Sequence, residues 1–428
     1  MSARLRELMG PYADEAERCI RCGFCNSVCP TTLTSIGYAP SKTSRGRLVL
    51  LQSALESGRP EPFTERFKDL IDLCIGCLRC VSVCPARIPI PTVMSAYRYA
   101  YYRASRGKSL TKGEKLLAKY EFLMKTLSMT PEPLRRATTS GPLLRLFRRV
   151  GGFAADVKIP LPEGEPLDRY FRGGSAVLGP ETYAYFSDTY ARFVRPSIGV
   201  SAMKLLENVG IALTYPRQFD SGIVYWELGL WQRVERLASR NVESLYREVS
   251  AGRKILCTSP ASTLMLREVY PQILNNVRSV AVSESVVDIN ELLHQLADSG
   301  RLSANLKPAR CVVHSSCLSQ HLRLTKSVVD MLEKLGVRVE GVATECCGSG
   351  GVWGLFERNR RLSLEIGERL VRKLGSAEVV LSYSETCSLQ ISSLLKNAVE
   401  VILPHEALNS WLRQTASPTH PEYIAQAP

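Results

Sequence analysis

The sequence predicts an α+β chain of several domains: a helical, cysteine-rich N-terminal domain followed by two tandem α/β repeats. Three observations carry this expectation. Two cysteine runs of identical spacing lie at or before Pro85. From about Pro180, short β-rich runs alternate with amphipathic helices, the texture of α/β units. That alternation repeats itself at an offset of 126 residues. A chain of 428 residues exceeds one ordinary core, so two or three domains are the default. Its 45% hydrophobic and 22% charged residues are those of a globular protein rather than a disordered one.

The first run, "CIRCGFCNSVCP", places Cys19, Cys22, Cys25 and Cys29 before Pro30, and "CIGCLRCVSVCP" places Cys74, Cys77, Cys80 and Cys84 before Pro85. Each reads C-x2-C-x2-C-x3-C-P, the bacterial ferredoxin spacing for a [4Fe–4S] cluster. Three thiolates on one tight loop take three iron corners, and the fourth cysteine, turned away ahead of proline, ligates the other cluster. This assigns Cys19, Cys22, Cys25 and Cys84 to one cluster and Cys74, Cys77, Cys80 and Cys29 to a second. Zinc takes two separated C-x2-C pairs rather than an eight-cysteine double array. The 44 residues between Cys29 and Cys74 are too many for a compact β-rich ferredoxin. Within them, "SRGRLVLLQSALESG" reads as a helix with Leu48, Leu51 and Leu55 on one face and Gly58 as its stop, and "IPTVMSAYRYAYYRAS" reads as another. The predicted domain therefore spans 1–105 and is helical.

A basic linker, 106–179, follows. Between Tyr97 and Lys158 there are fourteen Lys or Arg against four Asp or Glu, a large part of the net charge of +14. The stretch "GPLLRLFRRVGGF" sets Leu143, Leu144, Phe147 and Val150 at helical spacing, with Arg145, Arg148 and Arg149 opposite. That pattern suits a helix lying on an anionic membrane, or one docked on protein. No nucleic-acid-binding motif accompanies the charge, so no nucleic acid is expected. No apolar run is long enough for a membrane span, and the first residues lack a secretory core. The expectation is a cytoplasmic chain with reduced thiols, in peripheral contact with the inner face of the cell membrane.

The repeats are expected at 180–305 and 306–415, with a tail at 416–428. "LLENVGIAL" (Leu205 to Leu213) resembles "MLEKLGVRV" (Met331 to Val339), and the same offset carries Asp220, Ser221 and Gly222 onto Cys346, Cys347 and Gly348. "SPASTL" falls on "SETCSL" and "YFSDTYARF" on "VHSSCLSQH", setting Ser262 opposite Cys387 and Thr189 opposite Cys317. The second repeat alone holds thiols at these places. Cys317, Cys346, Cys347 and Cys387 thus form a candidate third metal site, for a third [4Fe–4S] cluster or zinc. Glycines at 348, 350 and 351 let backbone pass close and aim N–H groups at sulfur. A strained vicinal disulfide and a metal-free redox pair are the alternatives. Cys257 and Cys311, on predicted strands, read as buried structural thiols, and His314, His321 and His405 as ordinary packed or surface histidines.

The two C-x2-C-x2-C-x3-C-P runs, the "SRGR" after the first, and the paired repeats with a Cys-Cys-Gly loop resemble the iron–sulfur subunits of glycolate oxidase. The third subunit of anaerobic glycerol-3-phosphate dehydrogenase and the lactate-utilisation iron–sulfur proteins are similar. This resemblance covers nearly the whole chain. It implies the electron-transfer subunit of an oxidoreductase, relaying electrons from an FAD-containing dehydrogenase partner toward quinone. The partner would act on a 2-hydroxy acid or on glycerol 3-phosphate. Heterodisulfide reductase subunits share the cysteine-rich repeat and supply the alternative, a thiol/disulfide oxidoreductase. Here the first copy has lost its cysteines, and the expected C-x-x-C reads Ser384-Glu-Thr-Cys387. No nucleophile–base constellation is present, so no catalytic residue is assigned and carbon chemistry falls to the partner.

Overall fold

The computed structural model describes residues 1–139, 141–171, 181–306 and 310–415. The expected tail, 416–428, and the end of the linker, 172–179, lie outside the described residues. The N-terminal part is helical: α1 (Ser2–Met9), α2 (Pro11–Glu17), α3 (Phe24–Val28), α4 (Ser44–Ser57), α5 (Glu65–Ile71), α6 (Arg79–Ser82) and α7 (Ile90–Ala104). Helix α4 begins where the Thr43 hydroxyl accepts from the Gly46 N–H and stops at Gly58, in the left-handed conformation. Leu48, Leu51 and Leu55 are buried on its inner face. They pack with Leu5, Met9, Ile71, Val93 and Tyr97 into one core. The short helices α3 and α6 are the turns on which the two cysteine runs are wound.

The linker continues as α8 (Lys112–Leu117), α9 (Tyr120–Ser128), α10 (Glu132–Thr139) and α11 (Gly141–Gly151). Here the sequence pattern misassigned one face. Phe147 and Leu144 are half-buried, Phe147 stacking on Phe153, which in turn stacks on Phe356. Arg148 turns inward and donates to the Val157 carbonyl at 2.9 Å. The outward face is therefore Leu143, Leu146 and Val150, exposed by 58%, 59% and 48%, together with Arg145 and Arg149. Aromatic stacking against a neighbouring element overrides the helix's own apolar stripe.

Beyond the linker, eight strands form two parallel sheets: β1 (Thr182–Phe186), β2 (Ala212–Thr214), β3 (Lys254–Cys257), β4 (Val286–Asp288), β5 (Cys311–His314), β6 (Val339–Ala343), β7 (Val379–Ser382) and β8 (Glu400–Ile402). Their orders are β2-β1-β3-β4 and β6-β5-β7-β8, the same arrangement twice. The helices pack reciprocally. Helix Ile289–Asp298, after β4, lies on Thr325–Lys334, between β5 and β6, while Ser197–Glu207, between β1 and β2, lies on Pro404–Thr415, after β8. Leu205, Leu206, Leu292 and Leu293 on one side meet Leu332, Leu335 and Leu408 on the other in a shared core. Cys257 and Cys311 are fully buried in strands, as expected of structural thiols.

Each sheet reverses its strand order between two central strands, β1 and β3 in the first, β5 and β7 in the second. Open α/β sheets bind ligands outside the carboxyl ends of strands at such a reversal. The two reversals face one another: Ser259, just after β3, lies against Glu385, just after β7. The N-terminal part closes a third side. Trp353 Nε1 donates to the Asp72 carbonyl at 2.8 Å, and Arg79 Nη1 donates to the Thr344 carbonyl at 2.5 Å. These contacts press the second cysteine run onto the Cys-Cys-Gly loop.

Candidate metal centres

The first thiol set lines one small cavity: Cys19, Cys22, Cys25 and Cys84, with Gly23 and Leu48. Cys22 is exposed and the other three are at least partly buried. Burial, and then the neighbouring thiols, push Cys19 and Cys25 up from the ordinary thiol value. In the second set, Cys80 is buried among Cys77, Cys74 and Cys29, and its thiol is pushed well up by burial and by those neighbours. Cys84 thus lies with the first run in that small cavity, and Cys29 lies beside Cys80 of the second.

Cys29 has a cation beside it. Arg47, 2% exposed, donates through Nη2 to Cys29 Sγ at 3.2 Å and to Thr31 Oγ1 at 3.4 Å. Burial pushes the Cys29 thiol up, but Arg47 and the Thr31 and Thr32 hydroxyls outweigh it, and its pKa falls to about 7. Arg47 Nη1 is buried with no hydrogen-bond partner among the described residues. An orphaned guanidinium nitrogen beside a crowd of thiols fits an anionic iron–thiolate group. Replacing Arg47 by glutamine is expected to lower the potential of the cluster held with Cys29 by on the order of 100 mV. A hydrogen bond to a charged group is worth roughly 1.5–3 kcal/mol, and 100 mV about 2.3 kcal/mol per electron. A redox titration followed by electron paramagnetic resonance (EPR) measures this; an unmoved midpoint would deny Arg47 that role.

The third set draws on three segments. Cys317 opens the helix after β5 and touches Cys346, which touches Cys347, whose Sγ lies 3.2 Å from Cys387 Sγ. The Gly348 N–H points at Cys346 Sγ at 3.4 Å and the Ser349 N–H at Cys347 Sγ at 3.5 Å. Gly348 takes φ +83°, where a Cβ would stand 2.1 Å from the Ser363 carbonyl oxygen. Only glycine permits that approach. His314, fully buried, steadies the loop, donating from Nε2 to the Glu345 carbonyl at 3.2 Å and taking the Ser382 hydroxyl on Nδ1 at 2.9 Å. Burial lowers its pKa to about 4, so the ring is neutral. His321 pairs with Glu268, and His405 is buried against the Ile198 carbonyl.

Two features were not legible as site residues. The first is the contact between sets: Cys77 of the second touches Cys317 of the third. The second is a group of buried acids around the shared cavity. Burial pushes Asp188 upward and Asp220 adds to it, burial and then Asp188 push Glu385 upward, and burial carries Glu227 to about 8 despite Arg98. In the first sheet's loops, Thr189 donates through N and Oγ1 to Asp220 Oδ2 at 3.1 and 2.5 Å, and Gly222 N donates to Oδ1 at 2.7 Å. There a carboxylate satisfies the loop that thiols crowd in the second sheet.

Crowded, buried thiols with raised pKa values are costly as thiolates without a cation, and soft iron or zinc relieves that cost. Residues 15–88 match the 4Fe-4S dicluster domain and residues 311–392 the Cysteine-rich domain. The chain is 25% identical over 389 residues to the third (C) component of anaerobic glycerol-3-phosphate dehydrogenase from Escherichia coli (strain K12), covering 88% of this chain and 93% of that one. It is 24% identical over 397 residues to the glycolate oxidase iron-sulfur subunit of the same organism, covering 89% and 91%. The probable glycolate oxidase iron-sulfur subunit of Bacillus subtilis (strain 168) is 24% identical over 414 residues, at 88% and 89% coverage. The chain is similar to these iron–sulfur subunits over most of its length. Its dicluster domain implies two [4Fe–4S] clusters, and its Cysteine-rich domain is compatible with one more.

Proposed function

We propose that this chain is the electron-transfer iron–sulfur subunit of a flavin-linked dehydrogenase, taking electrons from a partner flavoprotein and passing them toward quinone. The dehydrogenase substrate would be a 2-hydroxy acid such as glycolate or D-lactate, or glycerol 3-phosphate. Iron–sulfur clusters bound by the three thiol sets would supply the one-electron steps. The observation that carries this is the unbroken succession of thiols from exposed Cys22 to Cys387, bridged where Cys77 meets Cys317. The succession gives the relay a direction. The first set is nearest solvent, where Ile20 and Phe24 present exposed apolar side chains, and this is the face for the flavoprotein. The third set, with Cys346 and Cys347 buried and Cys317 and Cys387 half-buried, opens on the cavity between the sheets.

The matching strand orders, and Gly222 and Gly348 both at φ +83°, support reading residues 180–305 and 306–415 as two copies of one unit. The first copy has exchanged its thiols for Thr189, Asp220, Ser221 and Ser262. Disulfide chemistry between two metal-bearing copies would need thiols on both.

Iron and sulfide analysis of anaerobically purified chain tests the reading. Roughly twelve irons are expected with a cubane in the third site and roughly eight with zinc there; iron-free protein would sink it. Membrane contact belongs to the same proposal. No described helix is long and apolar enough to cross a membrane, so contact would run through α11. The double substitution Leu143→Glu and Leu146→Glu is expected to abolish co-sedimentation with anionic phospholipid vesicles, which in the parent should weaken with salt. Equal binding of both proteins would remove α11 from the surface.

A further inference from the structure

We infer that the cavity shared by the two sheets binds a lipophilic quinone, which enters past α9 and α11 and is reduced beside the Cys77–Cys317 thiols. This rests on the electron-transfer reading above and adds a site to it. The cavity measures about 220 Å³, many times the roughly 15 Å³ that one water needs. Its wall joins two unlike groups: Cys77, Cys317 and Cys346 pack in one cluster, and Leu116, Phe147, Phe153, Ile159 and Val224 in a separate apolar one.

The wall selects against charged substrates. Asp188 and Asp220 on that wall would repel a carboxylate or phosphate ester. The basic side chain among the described lining residues, Lys158, is engaged by Asn397 at 2.7 Å. A neutral, flat, apolar molecule is what remains. Tyr120 supplies the polar contact: its hydroxyl is buried on this wall with no hydrogen-bond partner among the described residues, and a quinone carbonyl oxygen would satisfy it.

The way in also has a physical basis. Helices α9 and α11 turn Leu123, Met124 and Phe147 into the cavity and leave Phe122, Leu143, Leu146 and Val150 exposed on their outer sides. A bilayer covering that outer face would store the ligand against the cavity wall. The reaction balances as quinone plus two electrons plus two protons giving quinol, each C=O becoming C–OH. The electrons come singly from the reduced flavoprotein by way of the metal centres. The protons come from water, with the half-buried Glu227 on the wall, held protonated, to pass them inward.

Photolabelling of the anaerobically purified full chain with a short-tailed azidoquinone tests this. Label is expected on peptides from 116–124 and 147–159, displaced by unlabelled quinone. Leu123→Trp, which intrudes into the cavity, should cut labelling roughly tenfold, about 1.4 kcal/mol of binding, with the EPR spectrum of the dithionite-reduced protein unchanged. Tyr120→Phe, a smaller change that decides the matter if the tryptophan variant does not fold, should weaken displacement roughly threefold to tenfold, the worth of one hydrogen bond. Label confined to other peptides, or undiminished labelling in folded Leu123→Trp or in Tyr120→Phe, overturns the site. Intact cluster signals alongside such a failure leave the relay standing, whereas their absence from the parent protein removes the relay itself.

Discussion

Replacing Cys77 by serine is expected to strip about four irons from each chain, to erase one low-potential cubane signal, and to reduce flavoprotein-driven quinone reduction to background. Cys77 sits at the one place where the thiol sets of two different domains meet. It lies half-buried among the second set, near Cys29, and reaches Cys317 of the third. A serine oxygen is a hard, weakly acidic donor and does not replace a soft thiolate on iron. The comparison variant is Cys22→Ser, at the exposed end of the succession. It should also cost about four irons, yet leave the second and third centres reducible by dithionite. Iron analysis and low-temperature EPR of both proteins distinguish these outcomes. A Cys77→Ser protein with full iron content and an unaltered spectrum would mean that the assignment of the second set is wrong.

What the sequence disclosed follows how local each determinant is. Eight of the thiols are spaced by the geometry of a single tight loop, so their grouping was readable from a dozen residues at a time. Cys317, Cys346, Cys347 and Cys387 are far apart in the chain, and only the internal similarity between Leu205–Leu213 and Met331–Val339 aligned them. Helix α4 was legible through Leu48, Leu51, Leu55 and Gly58 because an amphipathic face and a left-handed stop are both encoded locally. The meeting of Cys77 with Cys317 was not, because it depends on docking. Trp353 on the Asp72 carbonyl and Arg79 on the Thr344 carbonyl join residues more than 260 positions apart. The acids on the cavity wall were invisible for a related reason. Asp188, Glu227 and Glu385 stand singly in unremarkable stretches, and their perturbation arises from burial and, for Asp188 and Glu385, from carboxylates that only the fold brings near. The face of α11 was misread because Phe147 has a better partner in Phe153 than its own helical stripe.

Gly348→Ala is expected to destabilise the second sheet unit by about 2–5 kcal/mol and to empty the third metal site while leaving the dicluster domain loaded. Two costs combine. The left-handed φ of +83° penalises any side chain by roughly 1–2 kcal/mol. The added methyl would stand 2.1 Å from the Ser363 carbonyl oxygen, on the backbone of helix Glu357–Leu374, which cannot rotate away as a side chain would. Overpacking of that kind costs roughly 1–3 kcal/mol more. Relief requires the loop to back off the helix, which moves the Gly348 and Ser349 N–H groups away from Cys346 and Cys347. Gly222→Ala in the first sheet unit supplies the matched control, for Gly222 has the same φ of +83° and its added methyl meets nothing nearer than 3.6 Å. It should show only the conformational cost, about 1–2 kcal/mol, with metal content unchanged. Denaturant unfolding and metal analysis of the two variants separate clash from conformation. Equal destabilisation with equal metal content in both would mean that the close approach of Gly348 to Ser363 does not hold the thiol loop in place.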